Sequence, residues 1–107
     1  MMLLNAFSIN MMPVGQRQVS FADLTLAEAQ TRLAGGFESA VGHADTAAVF
    51  EAVLGVPVAC NRASVSIPSQ GAAWTAIVGQ YSGPRLPEGA STLPEGAVIR
   101  WVAVYVD

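Results

Sequence analysis

Hydrophobic positions along the chain fall in short runs separated by turn residues. Residues 2–7 predict a first strand, and 8–16, rich in Ser, Asn, Pro and Gly, a loop. Val19 and Phe21 alternate with polar neighbours, which predicts a second strand over 17–22. Thr25-Leu26-Ala27-Glu28 matches a capping box, and a helix follows to about Ala34, where Gly35-Gly36 ends it. Residues 37–41 read as a short strand leading into Gly42-His43. A second helix, from about Asp45 to Leu54, lays Ala48, Val49, Ala52 and Val53 along one apolar face, and Gly55 and Pro57 stop it.

Strand candidates follow at 58–60 and 63–67, then the turn Pro68-Ser69-Gln70-Gly71 and a strand over 72–79. The last strand, 97–106, is apolar on both faces, so it is central in a sheet or covered by another subunit. The order β-β-α-β-α-β-β-β predicts one α/β domain over residues 1–107. Its expected architecture is a mixed sheet of about five to six strands flanked by two main helices.

Composition adds to this picture in two places. The chain has 107 residues, 52% apolar and only 12% charged, which suggests a buried subunit interface, although a dense α/β core is the plainer reading. The longest apolar runs are strand-length, well short of the roughly 18 residues that span a bilayer, so no membrane segment is expected. The start lacks a basic region, and Asn5, Ser8 and Asn10 interrupt it, so no signal peptide is expected either. The one cysteine, Cys60, has no internal partner, and a cytoplasmic setting is the default.

The net charge of −3 argues against a general binder of duplex nucleic acid. All five basic residues are arginine, whose planar fork suits phosphate; biased codon usage explains such a set equally well. One echo occurs, Leu86-Pro87-Glu88-Gly89 and Leu93-Pro94-Glu95-Gly96, which is ordinary turn chemistry.

His43 is the sole histidine and stands at a strand-to-helix corner between the small residues Gly42 and Ala44. The N–H groups opening the following helix favour an anion there, and a bound anion would hold the imidazole protonated. A lone histidine is more often a structural or surface residue. Three polar loops accompany it: Asn5 to Asn10, Asn61-Arg62, and the stiff Gln80 to Gly89 segment carrying Arg85. The first can donate to phosphate or ribose, or simply cap turns. One His and one Cys make no typical zinc site, and the chain has no Walker loop, GxGxxG or GxSxG. No metal and no cofactor is expected.

Four segments taken together carry a resemblance: Leu4 to Met11, Ser39-Ala40-Val41-Gly42-His43 with Asp45-Thr46, Asn61-Arg62, and Ser82 to Gly89. In this order and spacing they resemble the viral anti-CRISPR ring nucleases. The resemblance implies a dimeric α/β enzyme that cuts cyclic tetra-adenylate, the messenger of type III CRISPR defence, to linear di-adenylate with a 2′,3′-cyclic phosphate. It implies His43 as the acid, with Asn5, Ser8, Asn10, Arg62, Gln80, Arg85 and Glu88 contacting substrate, and no metal. It also implies action in the cytoplasm, the host's if the source is viral. Attack by the ribose 2′-OH needs neither metal nor catalytic water, so a sparse site suffices. Many relatives carry a longer helix after the Arg-Leu-x-x-Gly segment, whereas only Ala90 to Gly96 intervenes here. Two other functions stay open: a module that sequesters a cyclic nucleotide without useful cleavage, and a small homodimeric scaffold or regulator.

Overall fold

The structure, a computed structural model, describes residues 1–15, 17–68 and 73–107. Strands β1 (Met2–Leu4), β2 (Val19–Leu24), β3 (Glu38–Ala40), β4 (Trp74–Ser82) and β5 (Val98–Val106) form one sheet in the order β2-β5-β4-β1-β3. Helix α1 (Leu26–Leu33) lies between β2 and β3, and α2 (Ala44–Leu54) between β3 and β4. β1 pairs in parallel with both β3 and β4, while β5 is antiparallel to β2 and β4. This is the expected α/β class, with five strands and two helices.

The internal place of β5 accounts for its apolar residues on both faces. Ile99 and Trp101 face the helices and pack with Leu3, Ile77, Leu33 and the α2 residues Phe50 and Leu54. Val104 and Val106 face the other way, with Leu4, Ala76 and Val78. No α-helix among the described residues covers that second face. Irregular chain does so: Phe7, Met11 and Met12 from one segment, Val65 and Ile67 from another, joined where the Ile67 N–H donates to the Met11 carbonyl at 2.9 Å. A small chain thus covers both faces of a sheet, which explains its high apolar content.

Both helices begin where local chemistry directs. Thr25 caps α1, and each half of the capping box closes, at 3.1 Å to the Glu28 N–H and 2.9 Å from the Thr25 N–H. α2 opens at Ala44 with His43 as its N-cap and ends on Gly55.

Elsewhere the structure corrects the expectations. The first strand stops at Leu4, because its neighbour β3 ends at Ala40 and the chain then turns to lay Phe7 across the sheet. The next segment includes a 3₁₀ turn, Ile9–Met11. The second strand runs 19–24 rather than 17–22, since Arg17 is drawn aside to the Asp107 and Pro68 carbonyls, both at 2.5 Å. The candidates at 58–60 and 63–67 form no strand; Cys60 makes one isolated parallel bridge to Val41. Val65 and Ile67 satisfy their alternation by lying over the sheet instead of pairing in it. Residues 69–71 of the expected turn, and Ala72 of the expected strand, lie outside the described residues.

Candidate functional site

Parallel pairing brings three chain ends to one edge. Leu4 pairs with Ala40 on one side and Val78 on the other. The chain therefore leaves β1 at Asn5, β3 toward His43 and β4 toward Gly83, all at the same side of the sheet. Open α/β sheets bind ligands at such carboxyl ends.

His43 is exposed, with extended backbone (φ −126°, ψ 130°), and its side chain makes no capping bond. Its carbonyl accepts the Ala47 N–H at 2.9 Å, so the backbone opens the helix while the imidazole is left to other uses. Arg62 lies against the preceding residue: its Nε donates to the Gly42 carbonyl at 3.2 Å. A methyl on Gly42 would meet the Arg62 Cγ at 3.7 Å, so the arginine stem packs on this glycine.

The segment bearing Arg62 is itself braced. The Asn61 N–H donates to the Val41 carbonyl at 2.8 Å and its Nδ2 to the Ser39 carbonyl at 2.9 Å. The Ser39 hydroxyl donates to the Ala59 carbonyl at 2.6 Å and accepts the Val41 N–H at 3.2 Å. Asn61 and Ser39 are therefore the scaffold of the corner, a role that sequence inspection did not assign to either.

Asp45, in the first turn of α2, accepts the Gly89 N–H on Oδ1 at 2.9 Å. This bond brings the loop carrying Arg85 and Glu88 to the same corner, both side chains exposed. Sequence gave no signal for it, because the partners stand 44 residues apart.

The remaining candidates lie differently. Gln80 shares the side of β4 that faces away from α2, in a groove of about 240 Å³ with Phe7, Phe21 and Val102. Ser8 uses its hydroxyl to cap the 3₁₀ turn, accepting the Asn10 N–H at 3.2 Å. Asn10 lines a second groove with Met12, Val14 and Val19, which runs toward the opposite end of the sheet, where Val19 pairs with Val106. The structure thus brings His43, Arg62, Arg85 and Glu88 toward the end of β1 at Asn5, and sets Gln80, Ser8 and Asn10 on the other face.

Partners also sort the arginines. Arg100 binds the Asp23 carboxylate at 2.6 and 3.1 Å, Arg32 binds the Tyr105 hydroxyl at 2.6 Å, and Arg17 binds backbone carbonyls. The guanidinium of Arg100 holds the Asp23 carboxyl below its ordinary range. Arg62 packs on the residue before His43, and Arg85 stands in the loop whose Gly89 is bonded to Asp45. Among the described residues, no group of three or more His, Cys, Asp or Glu is gathered to hold a metal ion. Nor is any helix among them long and apolar enough to cross a membrane.

A mixed sheet that delivers a histidine-capped helix and a braced arginine to its parallel edge defines a small α/β domain with one polar corner. The chain belongs to the STIV B116-like family, whose model matches residues 1–98. Its structure resembles B116 of Sulfolobus turreted icosahedral virus (STIV), with a TM-score of 0.76, 24% identity and 96% of each chain covered. At that identity the likeness shows a shared fold. No curated protein matches the chain.

Proposed function

We propose that this protein is a metal-independent ring nuclease that opens cyclic tetra-adenylate, with His43 as general acid. The observation that carries the reading is the corner itself: an exposed imidazole with no capping bond, at the start of a helix, beside Arg62 on the Gly42 carbonyl. The resemblance of the four sequence segments supplies the substrate.

In this mechanism the ribose 2′-OH gives up its proton to solvent as its oxygen bonds to the adjacent phosphorus, and the bond from phosphorus to the 5′-oxygen breaks. His43 protonates the departing oxygen. Arg62 and Arg85 stabilise the charge that builds on the phosphorane, and Asn5 and Glu88 hold sugar and base. Two such cuts turn one ring into two linear di-adenylates, each with a 2′,3′-cyclic phosphate.

A homodimer completes the proposal, since a two-fold axis would set one His43 at each of two opposite phosphates. Three of the apolar side chains left exposed, Ile9, Val14 and Phe21, support a covering partner, and the face that bears them also holds Gln80, Ser8 and Asn10. The proposed setting is cytoplasmic, where the messenger would be met.

Incubation of cyclic tetra-adenylate with the protein in EDTA, followed by chromatography, tests the activity. Linear di-adenylate with a cyclic phosphate, formed by the parent and absent with His43→Ala, is expected. An intact ring that nevertheless binds would favour sequestration, and no binding at all would favour a scaffold.

A further inference from the structure

The repeated Leu-Pro-Glu-Gly-Ala at 86–90 and 93–97 folds into the same turn twice. The Ala90 N–H donates to the Pro87 carbonyl at 3.0 Å, and the Ala97 N–H to the Pro94 carbonyl at 3.1 Å. Gly89 and Gly96 take matching left-handed φ values of +82° and +80°, which favour glycine. The two copies differ in what receives the glycine amide. The Gly89 N–H goes to Asp45 Oδ1, whereas no side chain among the described residues receives that of Gly96. Two equivalent turns, one tied and one not, separate the tie from the turn's own stability.

We propose that Asp45 is a positioning residue that latches the Arg85 loop to the first turn of α2. It acts through Arg85 and Glu88 rather than on the substrate. Its functional part rests on the ring-nuclease reading; the latch does not. Pro84 and Pro87 stiffen the loop, so a single point of attachment fixes its approach to His43. A carboxylate accepting a backbone N–H is a charge-assisted bond, stronger than a neutral one.

Trypsin reads the latch directly, because the chain has no lysine and one of its five arginines, Arg85, stands in this loop. Asp45→Ala is expected to speed cleavage at Arg85–Leu86 about tenfold, the loss of one charge-assisted bond. Cleavage at Arg62–Ala63, in a different segment, is the internal control for general loosening. Asp45→Asn keeps an oxygen acceptor but not its charge, and is expected to cleave about threefold faster than the parent, between it and Asp45→Ala. With cyclic tetra-adenylate, Asp45→Ala is expected to lower kcat about tenfold, because the Arg85 it frees acts on charge that builds in the transition state, and Asp45→Asn to restore most of it.

Parent-like cleavage at Arg85–Leu86 in Asp45→Ala overturns the latch, as does equal acceleration at Arg62–Ala63. Faster cleavage with an unchanged kcat overturns the positioning role. If the parent opens no ring while Asp45→Ala still frees the loop, the latch stands and the nuclease reading fails.

Discussion

Gly79 is buried in β4 at a point where the sheet has no room for a side chain. A Cβ built there would meet Phe50 Cζ and Trp101 Cζ3 at 2.6 Å each, and Phe50 Cε2 at 2.8 Å. Ordinary carbon contacts are about 3.5–4.0 Å, so a methyl group overlaps two rings by roughly 1 Å. Neither ring can swing away: Phe50 is 0% exposed and Trp101 4%, and they pack on each other with centroids 5.0 Å apart. Overpacking of this kind costs about 1–3 kcal/mol, and contact with two rings places Gly79→Ala toward the upper end.

At about 4–8 °C per kcal/mol for a domain near this size, the expected fall in Tm is roughly 10–20 °C. The sign is diagnostic. Gly79 does not have a left-handed φ, so without the clash alanine would stabilise the strand by about 0.5–1 kcal/mol. Denaturant and thermal unfolding of Gly79→Ala, Phe50→Leu and the double variant would measure both the cost and its cause. Shortening Phe50 should relieve the overlap, so the double variant should lose at least about 1 kcal/mol less than the sum of the singles. A Gly79→Ala protein as stable as the parent, or strict additivity, would refute the packing account. Because Phe50 belongs to α2, the same substitution should also disturb the helix that carries His43.

On the ring-nuclease proposal, Arg62→Ala should weaken or slow the reaction with cyclic tetra-adenylate by about 10²-fold, whereas Arg32→Ala, which loses a bond to the Tyr105 hydroxyl, should leave it unchanged; steady-state kinetics with both variants checks the sorting of the arginines. Asp23 has its carboxyl held low by Arg100, so any stability it lends is present above the ordinary carboxylate range and is lost as pH falls through its depressed folded value. The Tm gap between the parent and Asp23→Asn should therefore be small near neutral pH, close as the solution is acidified, and shrink in high salt because the pair is exposed.

Much of the fold was legible where a local signal had a local cause. Thr25 with Glu28 marked the start of α1, and Gly55 with Pro57 the end of α2. The two apolar faces of 97–106 fit a central strand or one covered by another subunit, and pairing with β2 and β4 makes it central. The segment 58–67 was misjudged because alternation looks the same whether a chain pairs in a sheet or lies across one, as Val65 and Ile67 do. His43 was legible as a corner residue from Gly42, Ala44 and the helix after it. Asp45 was not, since its carboxylate answers an amide in a distant loop. Nor was the face of Gln80, because alternation along β4 says that it sides with Val78 but not which face carries the helices.

The most direct test of the central proposal replaces the scissile 5′-oxygen of the ring by sulfur. A thiolate departs without protonation, so the acid becomes dispensable while every other contact is kept. His43→Ala should cleave the oxygen ring about 10²–10⁴-fold more slowly than the parent, yet cleave the sulfur ring within about tenfold of it. Equal impairment on both rings, or none on either, would contradict the assignment of His43 as the acid.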